Sequence, residues 1–290
     1  MDSVQEKAYA KLNISLDVTG RRDDGYHEML MVMQTVSLCD DVSVTLNGSG
    51  RISAGTNFSF IPGDERNLAV KAALCFLEAV GKNGQGMHIE LRKRVPVGAG
   101  MAGGSSDAAA VLRALNRLYG EPLRGEELEA VAFGVGSDVP FCVRGGTALA
   151  RGRGEQLTPL PAMPDCRFVV CKPEFSVSTP ELFRKLDQSN LRCHPDTAGI
   201  CDALEKGDLR QICRRMYNVF EDVDDRRLRT VAEIKSVLLD SGALAAMMTG
   251  TGSAVYGVYA PGSDPGEVIQ SLRREYGFCE SAECIGRIGI

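Results

Sequence analysis

Between Pro96 and Ala110 the chain reads PVGAGMAGGSSDAAA, four glycines in nine residues leading straight into two serines, an aspartate and an alanine-rich run. Glycines at 98, 100, 103 and 104 let a backbone take positive φ and approach a ligand with no Cβ in the way. A helix after such a loop presents unpaired N–H groups and the positive end of its dipole, so the chemistry suited to this tract is phosphate binding. Ser105, Ser106 and Asp107 all suit a helix N-terminus. Ala108, Val111, Leu112, Leu115 and Leu118 keep a 3.6-residue rhythm, and Gly120 with Pro122 supplies the stop. No Gly-Lys-Ser/Thr ending follows, which excludes a Walker loop. GAGMAG near position 100 lacks the setting of a dinucleotide fingerprint. A glycine-rich turn that merely packs a helix against a sheet is the plain alternative.

The remaining chemical candidates sit on elements that the pattern also predicts. Leu12, Ile14, Leu16 and Val18 alternate with Lys11, Asn13, Ser15 and Asp17, the period-two signature of a half-buried strand. Lys11 and Asn13 then share a face that points away from the core. The turn GRRDDGYH ends this strand and delivers Tyr26 and His27. Further strands are expected at 28–38, 42–46 and 87–92, and a helix from Asn67, its N-cap, to Gly81. A helix at 126–135 empties into GSDVPF at 136–141, which carries Asp138. A second half opens near Leu157 with a strand at 167–171 and helices at 179–187, 208–219 and 225–240. A strand pair, 244–248 and 254–259, flanks TGTGS, and a helix at 265–276 and a terminal strand close the chain. Mixed elements in both halves predict an α+β protein with two layers per domain.

Composition narrows the class. At 290 residues the chain exceeds the usual single core, so two domains are expected. With 44% hydrophobic and 24% charged residues it is ordinary globular material, and a net charge of −5 argues against nucleic acid or a membrane surface as partner. The opening residues have no apolar stretch of leader length and nothing later reads as a membrane span. The ten cysteines are scattered without a CxxC pair, so thiols in a reducing cytoplasm are expected. Three histidines leave little material for a metal centre or a hydrolase triad.

Three separated segments, AKLNISLDVTGRRDDGYH at 10–27, PVGAGMAGGSSDAA at 96–109 and TGTGSAVYG at 249–257, resemble in order and spacing the motifs of the GHMP small-molecule kinases. The resemblance covers essentially the whole chain. It implies a two-domain α+β fold, with a ribosomal-protein-like N-terminal domain at 1–156, a ferredoxin-like C-terminal domain at 157–290 and the active site in the cleft between them. GRRxDGYH, GSDVPF and the following GGTALARGRGE narrow the likeness to the branch whose acceptor is a cytidine-diphosphate-linked methylerythritol, in non-mevalonate isoprenoid synthesis. The loop departs from the commoner GLGGGSS form in having Met101-Ala102 for Leu-Gly.

What the resemblance implies is residue-specific. Asp138 and Lys11 stand beside the acceptor hydroxyl as the catalytic pair, a carboxylate to accept or orient the proton and an ammonium to offset phosphate charge. ATP and Mg²⁺ are the implied cofactors. Pro96, Gly98, Ala99, Gly100, Met101, Ala102, Gly103, Gly104, Ser105 and Ser106 hold the phosphates, with Ser106 also toward the metal and helix capping as the alternative for both serines. Asn67 and Lys93 resemble positions lining the adenine pocket. Tyr26 is the base-stacking aromatic, His27 its hydrogen-bonding neighbour, and Pro180 with Phe183 the opposite wall, while Asn13 reaches the methylerythritol part. Taken alone, Tyr26 and Phe183 read more often as core or rim aromatics, and His27 as a structural turn histidine. Gly250, Thr251, Gly252 and Ser253 are expected to turn against the glycine loop. The implied partner is a small cytidine-diphosphate substrate, and the expected state a monomer or weak homodimer. The rivals are a GHMP kinase of homoserine or mevalonate type, which needs no cytosine slot, and a non-catalytic ligand-binding relative.

Overall fold

The fold is taken from a computed structural model, which describes residues 2–189, 191 and 193–289. Its largest sheet is organised by two long antiparallel strands, β1 (Ser3–Arg21) and β2 (His27–Leu46), joined by the GRRDDGYH turn. One edge of β2 takes β1 along its length. The other edge is shared by β5 (Thr147–Gly152), against Met29–Gln34, and β4 (Met87–Arg92), against Asp41–Leu46. β3 (Ile52–Thr56) extends the sheet parallel to β4, β6 (Gln156–Pro159) pairs with β5, and β8 (Tyr217–Asn218) lies parallel to Ser15–Leu16 of β1. The two strands expected at 28–38 and 42–46 are thus one. β6 straddles the expected division at 156/157 and stays with the first sheet.

Helices α1 (Leu68–Ala79), α2 (Gly103–Leu118), α3 (Gly125–Val135) and α4 (Val139–Arg144) cover one face of this sheet. The second sheet has the order β11 (Phe278–Glu283), β7 (Arg167–Lys172), β10 (Val255–Tyr259), β9 (Ala245–Met248), all antiparallel. Helices α8 (Leu228–Asp240) and α9 (Gly266–Tyr276) pack on it, and α5 (Thr179–Asp187), α6 (Thr197–Glu205) and α7 (Leu209–Arg215) complete the chain. The helix expected at 208–219 ends at Arg215, because Tyr217 and Asn218 leave the helical path to pair with β1. The architecture is α+β, as expected. Among the described residues no helix is long and apolar enough to cross a membrane.

Two irregularities in the β1–β2 pairing decide what faces the site. The register shifts between Tyr9 and Lys11 and again between Asn13 and Ser15, and each such bulge switches the face on which later side chains fall. Ala8, Leu16 and Val18 therefore join the core on the helical side, whereas Ala10, Leu12 and Ile14 join a second core with Phe168, Val170, Tyr256 and Val258 of the other sheet. The apparent run Leu12 to Val18 is two half-runs of opposite parity. Lys11 and Asn13 do face away from Leu12 and Ile14. That face is nevertheless covered: Lys11 is buried and Asn13 wholly so, beneath the glycine loop and the late turn.

Candidate active site

The glycine loop owes its shape to a few local demands. Gly98 and Gly100 have positive φ, as does Ala102, which sits at φ 59 as the N-cap of α2. Gly103 and Gly104 are already helical, so α2 begins earlier than the apolar rhythm from Ala108 suggested, and Ser105 and Ser106 lie within its first turn rather than capping it. The 16-residue helix aims its N-terminal N–H groups and dipole at the loop. Lys11 N donates to Met101 O at 3.2 Å, tying the loop to β1. The Met101 side chain is buried in the second core, so the loop presents backbone outward.

A buried charge cluster fixes the loop from beneath. Lys93 Nζ bonds to Asp40, to Asp107 Oδ2 at 2.5 Å and to Gly103 O at 3.3 Å. Asp40 also accepts from the backbone N–H groups of Arg94 and Val95. One ammonium thus serves two buried carboxylates. Burial first, and the neighbouring Asp40 as well, push the Asp107 carboxyl up to about 7 despite Lys93. Asn67 caps α1 by accepting from Ala69 N at 3.0 Å and donates to Pro62 O at 2.8 Å.

Asn67, Lys93, Pro96, Gly98, Ala99, Gly100, Met101, Ala102, Gly103, Gly104 and Ser105 line one cavity of about 340 Å³. The structure gathers eleven of the twelve residues expected at the nucleotide. Lys93 is in the lining, but its ammonium is engaged by the two aspartates, so its work is to hold the loop. Ser106 is the exception: its side chain is buried, its hydroxyl donates to Gly103 O at 2.9 Å, and it lines neither cavity. Ser105, one residue earlier, faces both cavities, since one residue along a helix turns the side chain by about 100°.

A second cavity, about 650 Å³, is lined by Lys11, Asp138, Tyr26, His27, Pro180 and Phe183, along with Gly100, Ala102, Ser105, Gly250 and Thr251. Gly100, Ala102 and Ser105 belong to both linings, so the two spaces meet where the loop becomes α2. At this junction Lys11 Nζ stands 4.0 Å from Asp138 Oδ2, the lysine side chain 5% and the aspartate 34% exposed. Asp138 is the N-cap residue of α4 but its carboxylate caps nothing, which leaves it free for the cavity. Asn13 Oδ1 accepts from Lys11 Nζ at 2.7 Å and from Gly250 N at 3.0 Å. Asn13 itself does not line the cavity; its oxygen is taken by protein donors, while its Nδ2 donates to Met31 Sδ at 3.4 Å, so in this structure it positions Lys11 and the late turn.

At the far end His27 stacks on Phe183, ring centroids 4.5 Å apart, with His27 Nε2 2.7 Å from Asp187 Oδ1. The Arg153 guanidinium lies over the Tyr26 ring at 3.7 Å. The late turn packs on the glycine loop as expected: Ala254 N donates to Ala99 O at 3.1 Å, and Thr249 Oγ1 to Gly100 O at 3.4 Å. Thr251 and Thr179 hydroxyls meet at 2.9 Å, and Ser253 Oγ donates to Phe175 O at 2.6 Å, joining the turn to the segment before α5. Sequence reasoning missed Arg153, Asp40, Asp107 as a charge partner, and Asn218, whose Nδ2 donates to Met248 O and Gly250 O, each at 2.8 Å. Arg153 had a visible signal in GGTALARGRGE; the others act through long-range pairing that no local pattern announces.

Comparison with known proteins agrees with this geometry. Residues 67–146 match the family model described as the GHMP kinases N terminal domain, and residues 200–277 that of the GHMP kinases C terminal. The 4-diphosphocytidyl-2-C-methyl-D-erythritol kinase of Alkaliphilus metalliredigens is 44% identical over 89% of each chain, and that of Bacillus velezensis 42% identical over 99% of this chain and 97% of its own. A crystal structure of 4-(cytidine 5'-diphospho)-2C-methyl-D-erythritol kinase superposes with a TM-score of 0.79 at 34% identity, covering 98% of this chain and all of the other. Homoserine kinase from Cytophaga hutchinsonii reaches the same TM-score at 20% identity over 99% and 96% of the two chains, a likeness of fold alone. Two matched domains, a phosphate loop opening onto a Lys–Asp pair, and relatives above 40% identity over most of their length place the chain among the GHMP kinases, in the family of 4-diphosphocytidyl-2-C-methyl-D-erythritol kinases.

Proposed function

We propose that the protein transfers the γ-phosphoryl group of ATP to the 2-hydroxyl of 4-diphosphocytidyl-2-C-methyl-D-erythritol, giving the 2-phosphate and ADP. The observation that carries this is the junction: a loop-lined cavity and an aromatic-ended cavity share Gly100, Ala102 and Ser105, with Lys11 and Asp138 beside them. A γ-phosphate cradled by the loop and the start of α2 then faces an acceptor held from Tyr26 to Asp138. Phosphoryl transfer of this kind rests mainly on positioning and charge neutralisation. Asp138 orients the acceptor hydroxyl and accepts its proton, Lys11 offsets phosphate charge, and Asn13 holds the ammonium in place. Tyr26 and Phe183 supply aromatic faces to the base, worth about 1–3 kcal/mol per stacked base. That stack favours a cytidylyl acceptor over homoserine or mevalonate.

Among the described residues no three His, Cys, Asp or Glu side chains gather as a metal cage. That fits Mg²⁺, which is commonly held by one or two protein oxygens together with nucleotide phosphates. Ser105 and Asp138, both in the cavity lining, are the residues that would hold it. When bound it neutralises charge on the β- and γ-phosphates.

The test is steady-state turnover with Mg-ATP and the cytidylyl acceptor. Lys11→Ala and Asp138→Asn should each lower kcat by about 10²–10⁴-fold, with urea unfolding close to the parent. Near-normal turnover in either folded variant removes that residue from the chemistry.

A further inference from the structure

Arg153 stands apart from the other arginines that reach the interior. Arg144 forks onto Glu129, Arg227 onto Asp225, and Arg113 pairs with Glu6. None of the ion pairs among the described residues includes Arg153. Its Nε is buried without a hydrogen-bond partner, although its guanidinium lies 3.7 Å above Tyr26 and 5.6 Å from the Phe133 ring. Stacking on an aromatic face fixes the plane of a guanidinium while leaving its in-plane N–H fork free. Asp24 is an acidic neighbour but forms no ion pair with it, and a cation held by rings without a paired carboxylate is prepared for an anion from outside.

Its position says which anion. Arg153 lines the acceptor cavity and is absent from the nucleotide lining. Its neighbour Gly154 abuts the transfer end, where a Cβ would lie 3.7 Å from Asp138 Oδ1 and 3.3 Å from Met31 Cε. The Gly152–Glu155 turn therefore bridges Tyr26 at the base end and Asp138 at the hydroxyl end. In a cytidine-diphosphate-linked polyol the diphosphate occupies the same middle position, between base with ribose and the reacting alcohol. The arginine and lysine side chains in this lining are Arg153 and Lys11, and Lys11 is committed to Asp138 and Asn13. We propose that Arg153 binds the diphosphate of the acceptor and is the residue by which this site prefers a nucleoside-diphosphate-linked alcohol to an uncharged or free one. The inference rests on the reading given under Proposed function and adds a specificity residue to it.

Calorimetric binding of cytidine and CDP to the parent protein, Arg153→Met and Arg153→Lys tests it. The parent should bind CDP more tightly than cytidine. Arg153→Met should weaken CDP by roughly 10–100-fold, as expected for losing hydrogen bonds to a charged group, and leave cytidine within about twofold. Arg153→Lys, which keeps the charge without the fork, should fall between, and serves alone should the methionine variant not fold. In turnover, KM for the cytidylyl acceptor should rise while kcat and the KM for ATP hold. Equal weakening of cytidine and CDP would make Arg153 a stacking residue and overturn the proposal, as would no change in either. Failure of the parent to bind any cytidine compound would instead remove the cytidylyl reading itself, and this inference with it.

Discussion

Gly100→Ala probes the seam where the glycine loop meets the late turn, and its cost can be worked from the geometry. Gly100 has φ +76, a conformation that costs an L-residue about 1–2 kcal/mol. A Cβ there would fall 2.1 Å from Thr249 O, 3.0 Å from the Thr249 carbonyl carbon and 3.1 Å from Gly252 N. Every atom it meets is backbone, so no side-chain rotation relieves the contact. Even a weak C–H···O approach needs about 3.3 Å, and the two segments must part by about 1 Å. That movement breaks the 3.1 Å bond from Ala254 N to Ala99 O, worth about 1 kcal/mol, and strains the packed neighbours by about 1–3 kcal/mol. Together these give a loss of about 3–6 kcal/mol, with a raised KM for ATP because the loop is displaced. Gly104→Ala is the matched control. Its Cβ meets nothing nearer than Leu68 Cδ1 at 3.5 Å and its backbone is helical, so folding stability should hold or rise by up to about 1 kcal/mol. Urea unfolding and ATP kinetics on both variants check the reasoning. An unchanged unfolding midpoint in Gly100→Ala, or equal losses in both variants, would refute it.

Two further perturbations address what holds the site. The folded Asp107 carboxyl, raised to about 7, keeps a proton that the unfolded carboxyl, with its ordinary value of 3.8, has lost. Its contribution to stability is therefore fully present below about pH 4 and declines as pH rises to about 7; Asp107→Asn should flatten that decline, and an equal difference between the two proteins at pH 5 and pH 8 would count against it. Asn218→Ala leaves the carbonyls of Met248 and Gly250 and the N–H of Phe220 without their buried partner. It should cost about 3 kcal/mol and raise the KM for the acceptor, since Gly250 and Thr251 line that cavity; wild-type stability and kinetics together would show the late turn to be held by other contacts.

Local signals carried much of this molecule. The helices α1, α3, α5, α8 and α9 lie close to their expected spans, α1 with the Asn67 cap expected for it. What local signals missed was tertiary in origin. The register shifts between β1 and β2 have no signature in YAKLNISLDV, yet they decide that Lys11 and Asn13 meet the loop while Leu12 and Ile14 meet the other sheet. Likewise Asn218 leaves a helical path only because β1 offers an edge to pair with. Residue types pointed to the phosphate loop, whereas bringing Lys11, Asp138 and the aromatic end to one site took the resemblance to the GHMP kinases; all of them line the two adjoining cavities. Residue types did not separate Ser105, which lines both cavities, from Ser106, because that distinction depends on which neighbour already takes the hydroxyl.

The fold does not choose the acceptor, since a homoserine kinase shares it at the same TM-score. The most direct test is ADP release by the purified protein with Mg-ATP, comparing 4-diphosphocytidyl-2-C-methylerythritol, homoserine, mevalonate and no acceptor. Rapid turnover on the cytidylyl compound alone is the predicted result, whereas turnover only on homoserine or mevalonate, or on none of them, would contradict the account.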